Sequence, residues 1–235
     1  MKRVFIILLL VLCPFISEAR NIYLVSVGIA DYPGTVNDLT LPAKDARAMH
    51  RLYLQNGQAS SVLITDQNAT KGNILTNARN HFAKAKADDI VVFFFSGHGY
   101  PGGFVAYDER LPYEEIRSVF SSCRAKNKMI FADACFSGDI REAGHAGRKL
   151  NQNVMLFLSS RSDEVSIERA DMKNGFFAAC LLRALKGGAD TNRDRTITAR
   201  ELFRAVSSGV KELSNDRQHP VMWGNFKDDM PVMVW

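Results

Sequence analysis

The unbroken apolar string Ile90-Val91-Val92-Phe93-Phe94-Phe95 stops abruptly at Ser96-Gly97-His98-Gly99. A strand with one wet face alternates apolar and polar residues, whereas a strand covered on both faces does not. The string is short for a helix and rich in β-branched and aromatic side chains, so it reads as a doubly buried strand. Ile22–Ile29 and Val154–Ser159 are also nearly all apolar, and Ser61–Thr65 and Lys128–Ala132 read as further strands, each run bounded by Gly, Asp or Ser. Helical patterns fill the gaps. Pro42–Gln55 carries Ala43, Ala46, Met49, Tyr53 and Leu54 at helical spacing, and Asn73–Ala85 follows a candidate cap at Thr70. Pro112–Ser122 is a shorter helix, and Phe176–Lys186 is stopped by Gly187-Gly188. Thr198-Ala199-Arg200-Glu201 is a capping box that opens a helix running to about Lys211. Strands alternating with helices predict an α/β fold, a mostly parallel sheet with helices on both faces, formed as one domain over residues 20–235. Gly138–Asn153 is polar and reads as a long exposed loop.

A composition of 46% hydrophobic and 23% charged residues excludes a disordered or collagen-like chain. The net charge of +5 is spread along the sequence rather than gathered in blocks, so it favours solubility and does not mark a nucleic-acid partner. Lys2 and Arg3 precede an apolar run from Val4 to Ile16, followed by Ser17-Glu18-Ala19. That is the layout of a secretory signal peptide over residues 1–19, cut after Ala19. The run is shorter than the roughly 20 residues of a membrane span. The expectation is an exported protein, periplasmic or extracellular, with no membrane partner after cleavage. Of the 4 cysteines, Cys13 lies in this leader, which leaves Cys123, Cys135 and Cys180 and therefore at least one unpaired thiol. Cys180, inside Phe176-Phe177-Ala178-Ala179-Cys180-Leu181-Leu182, has the setting of a buried, inert thiol.

Two strand ends carry chemistry. One is Ser96-Gly97-His98-Gly99; the other is Asp133-Ala134-Cys135-Phe136-Ser137-Gly138 after Met129–Ala132. Ligands of open parallel sheets bind beyond the carboxyl ends of the strands, near the switch point of strand order. A histidine and a cysteine there, each beside glycine, suit a thiol–imidazole pair in which the imidazole takes the thiol proton and the thiolate attacks a carbonyl. The amides of Gly99 and Cys135 are candidate oxyanion donors.

These two motifs resemble the paired signatures of caspase-like cysteine peptidases, nearest to the metacaspase and bacterial caspase-domain branch. The resemblance extends to Val25–Tyr32, Lys44-Asp45-Ala46, Ala69-Thr70, Ser159-Ser160 and Gly175-Phe176-Phe177, and so to nearly the whole chain after the leader. It implies a caspase-like sandwich with His98 as general base and Cys135 as nucleophile of peptide-bond hydrolysis, and no third triad member. In the metacaspase branch acidic groups line the pocket for the residue before the cut. Asp45 and Asp133 fall at matching positions, and Ser159 and Ser160 join the implied substrate-binding set. Two carboxylates favour an Arg or Lys side chain, so the implied partner is a peptide or protein with a basic residue before the cut. Read as ordinary residues, Asp45 is an exposed helix position and Asp133 a turn former. The loop Gly138–Asn153, with Arg141, Arg148 and Lys149, lies where caspase-family chains are commonly cut.

Asp190-Thr191-Asn192-Arg193-Asp194-Arg195-Thr196-Ile197-Thr198-Ala199-Arg200-Glu201 has oxygen ligands at positions 1, 3, 5 and 12 of an EF-hand loop, namely Asp190, Asn192, Asp194 and Glu201. Arg195 stands where that loop calls for Gly, and Glu201 is equally a capping-box partner, so calcium is the weaker expectation. The 5 histidines, His50, His81, His98, His145 and His219, lack ligand spacing to cysteines, and no other metal is expected. Two rival readings remain. One is a silent caspase-like binding or scaffold module. The other is an α/β-hydrolase-like site using Cys135, Asp190 and His219, although Ala134-Cys135-Phe136-Ser137-Gly138 lacks the first glycine of a nucleophile elbow.

Overall fold

The computed structural model describes residues 20–134, 154–161 and 172–235. The chain runs β1 (Ile22–Gly28), α1 (Pro42–Leu54), β2 (Ala59–Thr65), α2 (Lys71–Phe82), β3 (Ile90–Ser96), β4 (Gly99–Tyr100), β5 (Gly103–Val105) and β6 (Arg110–Pro112). It continues with α3 (Tyr113–Ser122), β7 (Asn127–Asp133), β8 (Val154–Leu158), α4 (Phe176–Arg183), β9 (Thr196–Thr198), α5 (Ala199–Leu213), β10 (Val221–Trp223) and β11 (Pro231–Val234). Residues 1–19 (expected to be a leader), Cys135 and residues 138–153 (expected to be a loop) lie outside the described residues.

The main sheet has the order β10-β8-β7-β3-β1-β2. All its pairings are parallel except β10 with β8. The α/β architecture expected from the alternation is therefore present, with an antiparallel edge added. Every residue of β3 is buried. Val92 and Phe94 pack into one core with Met49 and Tyr53 of α1, Phe177 and Leu181 of α4, and Leu202 and Val206 of α5. Val91, Phe93 and Phe95 pack into the other with Ile74 and Phe82 of α2 and Ile116 and Phe120 of α3. Successive strand side chains point to opposite faces, so a run with no polar gap is what two helical layers require.

Some boundaries differ from expectation. β2 begins at Ala59 rather than Ser61, because β1 pairs with it from Ile22↔Ala59 onward. Helix α2 starts directly after Thr70, whose hydroxyl accepts from the Asn73 amide at 3.3 Å. Helix α4 ends at Arg183 and passes into a widened turn over Ala184–Gly188, where Gly187 takes a left-handed φ of 106°. The pattern reading had no place for the small sheet β4-β5-β6 or the pair β9-β11. The first is announced by Tyr100-Pro101-Gly102-Gly103, in which Gly102 has φ 99°, the conformation a Pro-Gly turn demands at its third residue.

Cys123 and Cys180 are both free thiols and both buried. Burial raises the Cys180 thiol above its ordinary range, in keeping with the inert role expected of it.

The chain leaves the main sheet in opposite directions from β1: toward β2 on one side, then through β3, β7 and β8 on the other. The switch point is thus the crevice beyond the carboxyl ends of β1 and β3. The parallel registers set Gly28 level with Ser96 and Ser96 level with Asp133. At Gly28 an added Cβ would collide with the Pro42 carbonyl and the Ala46 side chain. This glycine lets the first turn of α1 press onto the strand end, and with it Asp45. Gly28→Ala is expected to cost about 2 to 3 kcal/mol as an overpacked, backbone-confined site, measured as a lowered urea midpoint at unchanged m-value.

Candidate active site

His98 follows the carboxyl end of β3 by two residues. Its Nε2 lies 2.8 Å from the Asn37 carbonyl oxygen. A carbonyl only accepts, so Nε2 carries the hydrogen and the neutral ring keeps its lone pair on Nδ1. Asn37 belongs to the loop between β1 and α1. That loop closes on itself through the Leu39 amide to the Ala30 carbonyl at 2.8 Å and the Tyr32 amide to Asp38 Oδ1 at 3.1 Å. Asp66 pins its start: Oδ1 accepts from the amides of Ala30 at 2.9 Å and Asp31 at 3.2 Å. Tyr32, Asn37, His98, Gly99 and Val105 line a cavity of about 270 Å³.

Asp45, in the first turn of α1, and Asp133, at the end of β7, come together. Asp45 is 1% exposed and Asp133 9%, so Asp45 is not the exposed helix residue that its ordinary reading made it. Asp45 Oδ1 accepts from Asn174 Nδ2 at 2.7 Å and from the Gly175 amide at 3.3 Å, while Oδ2 accepts from the Ser96 hydroxyl at 3.2 Å. Asp133 Oδ2 accepts from the Ala178 amide at 3.3 Å. Asp133 thus serves the first turn of α4 rather than only its own turn, and both carboxylates face the positive end of that helix. Gly175 leaves them room, since a Cβ there would lie 2.9 Å from Asp133 Oδ2 and 3.4 Å from Asp45 Oδ2.

Burial and then the Asp133 charge push the Asp45 carboxyl from an ordinary 3.8 up to about 8, against the opposing bonds from Asn174, Gly175 and Ser96. The folded protein therefore holds this proton to higher pH than a free carboxyl does.

Ser159 and Ser160 follow β8 and are fully buried, with the Ser159 amide on the Ala132 carbonyl at 2.9 Å and its own carbonyl accepting from Gln218 Nε2 at 2.9 Å. The sequence motifs did not single out Asn37, Tyr32, Ser96 or Asn174 for a role. Asn37 acts through its backbone, which leaves no side-chain signature. Ser96 was visible only as a member of the His98 motif.

The calcium-loop candidates bond to one another and to residues of their own loop. Both oxygens of Glu201 are engaged: Oε2 by the amide and hydroxyl of Thr198 at 3.0 and 2.8 Å, Oε1 by those of Thr191 at 3.2 and 2.8 Å. Asp190 accepts from the amides of Asp194 and Arg195, and Asn192 and Asp194 bond each other at 2.8 Å. Arg195 adopts the left-handed φ of 66° that the turn requires despite its side chain. Among the described residues, no group of three His, Cys, Asp or Glu side chains is gathered to hold a metal ion. His219 pairs with Asp216 Oδ1 at 3.1 Å, just ahead of β10.

A family model described as the caspase domain matches residues 23–230. The chain belongs to the caspase-domain family. It is therefore a member of a cysteine peptidase family, as the two motifs implied. The caspase domain's fold is shared with the crystal structure of a protein from Geobacter sulfurreducens at a TM-score of 0.69. The two are 14% identical, and the match covers 91% of this chain and 97% of that one, so the likeness is one of fold. No curated protein matches the sequence.

The Asp45 environment has a consequence for stability. The unfolded chain releases this proton near 3.8 and the folded caspase domain holds it to about 8, so across that interval the unfolded chain binds fewer protons and stability falls as pH rises. Asp45→Asn is expected to flatten this slope, with a melting temperature that gains on the wild type between pH 4 and 8. Parallel thermal melts of the two proteins across that range check it.

Proposed function

We propose that this caspase domain is an exported cysteine endopeptidase that cuts after Arg or Lys, with His98 as general base and Cys135 as nucleophile. The observation that carries the reading is the setting of His98. It stands at the switch-point crevice with Nε2 held by the Asn37 carbonyl, which turns the basic Nδ1 outward from that bond. Asp133, two residues before Cys135 in sequence, ends the adjacent strand level with Ser96.

In this reading Nδ1 takes the Cys135 thiol proton and the thiolate attacks the peptide carbonyl carbon. The Asn37 carbonyl orients the ring and stabilises the imidazolium. The oxyanion is received by the amides of Cys135 and Gly99. Val105 donates to the His98 carbonyl, so in the antiparallel ladder the next residue, Gly99, is of the non-bonded kind, and its N–H points away from β5. As the tetrahedral adduct collapses, the imidazolium returns its proton to the departing amine. Water then cleaves the thioester with His98 again as base.

Basic specificity rests on the Asp45–Asp133 pair. Asp45 and Asp133 put two carboxyl groups at one buried site, and an Arg or Lys side chain meets such a pair with charge-assisted hydrogen bonds. Entry of the cation displaces the Asp45 proton and competes with the Asn174 amide for Oδ1. Export follows from the leader read over residues 1–19.

Fluorogenic peptides ending in Arg, Lys or Asp test this with wild type, Cys135→Ala, His98→Ala and His219→Ala. Arg and Lys substrates are expected to be cut and Asp substrates not. Cys135→Ala and His98→Ala are expected to lose about a thousandfold or more, and His219→Ala less than about twofold. Preference for Asp overturns the pocket. Activity that survives Cys135→Ala overturns the peptidase reading, as does inertness of Cys135 to iodoacetamide, which a silent scaffold predicts.

A further inference from the structure

The base sits next to an irregularity in its own hairpin. In a regular antiparallel ladder, the two residues of a hydrogen-bonded pair exchange both N–H···O bonds. His98 stands opposite Val105, one step beyond the Gly99↔Phe104 pair of β4 and β5. One bond of that rung is made, from the Val105 amide to the His98 carbonyl at 2.9 Å. In place of the other, the His98 amide donates to the Tyr32 hydroxyl at 2.9 Å, and that hydroxyl donates to the Val105 carbonyl at 3.2 Å. A side chain from the β1–α1 loop is thus inserted as half a rung, and it holds the strand open at the residue that bears the imidazole.

We propose that Tyr32 is the positioning residue of His98, its hydroxyl wedging the ladder so that the imidazole stands over the crevice instead of being drawn into the hairpin. The inference rests on the reading of His98 as the general base. Three features support it. The Tyr32 ring lies against the imidazole, centroids 4.9 Å apart and tilted by 45°, which limits the ring flips that would take Nε2 off Asn37. Tyr32 and Asn37 belong to the same closed loop, so one element sets both the backbone and the ring of His98. Gly97 has φ 154°, and a Cβ there would stand 2.7 Å from the Tyr32 hydroxyl oxygen, so the glycine leaves the passage through which the hydroxyl reaches the strand. Tyr32 is 5% exposed, and burial raises its phenol well above the ordinary range, so the hydroxyl remains a donor at all working pH values.

Tyr32→Phe keeps the ring and deletes the wedge. The free His98 amide and Val105 carbonyl can then close directly, or admit water. Either way the base moves relative to a substrate anchored at Asp45 and Asp133 on other elements. The expected result is a kcat lowered about tenfold to a hundredfold with KM within about twofold, and His98 amide hydrogen exchange at least about tenfold faster. The kcat is expressed per folded molecule, counted by circular dichroism, because a smaller folded fraction would by itself lower the apparent kcat at unchanged KM. Wild-type kcat together with wild-type His98 exchange in a folded Tyr32→Phe protein overturns the proposal. Should that variant fail to fold, Gly97→Ala presses on the same hydroxyl from the strand side and is expected to give the same kcat and exchange signature. If neither folds, the wild-type exchange decides: a His98 amide exchanging as fast as an open loop amide refutes the wedge. If wild type cleaves no basic peptide, the peptidase reading fails by itself, while the exchange measurements still report on Tyr32.

Discussion

The burial of β3 on both faces governs everything built at its end. A doubly covered parallel strand cannot slip by one residue without sending Phe93 and Phe95 into the layer that holds Val92 and Phe94, and each layer is already filled by helices from a different part of the chain. Register is therefore set by packing over the whole strand. Its consequence appears where the apolar run stops: Gly28, Ser96 and Asp133 stand level across three strands. The first polar groups after a dry core are delivered side by side, at the crevice where the strand order reverses.

That placement has an electrostatic cost. Two carboxyl groups share a buried site, and Asp45 holds its proton to higher pH than a free carboxyl does. The structure offsets the cost with directed donors: Ser96 from β3, Asn174 and Gly175 ahead of α4, and the Ala178 amide within it. Removing acceptors from such a set leaves buried donors unpaired, so the arrangement is more expensive to break than to keep. Under the proposed function, this residual repulsion is what an arriving cation relieves, and the same pair would tie substrate preference to pH.

The base is set by a different logic. Asn37 and Tyr32 act on His98 from one loop, the first through a backbone carbonyl and the second through a hydroxyl placed inside a strand ladder. The loop is in turn held by Asp66, a residue of a different turn that itself adopts a left-handed φ of 51°. The acid pair and the base therefore rest on separate supports: α1, the strand ends and α4 for one, the β1–α1 loop and the small hairpin for the other.

Much of this was legible before any coordinates. Apolar runs without alternation mark doubly buried strands because burial on both faces imposes that composition, and Thr70 and Thr198 mark helix starts because capping is local. The strands that escaped notice, β4 to β6 and β9 to β11, are short, and their pairing depends on turn geometry or on distant partners. What the residues alone determined was the layered α/β fold, the strand ends that bear His98, Asp133 and Cys135, and the family to which those motifs belong. The tertiary structure decided the rest: that Asp45 is buried against Asp133, that a carbonyl from Asn37 holds the imidazole, and that Tyr32 enters the hairpin. Those contacts join segments tens of residues apart, through a backbone oxygen in one case and unremarkable side chains in the others, and no periodicity or spacing along a chain encodes which distant groups a fold will bring within hydrogen-bonding reach.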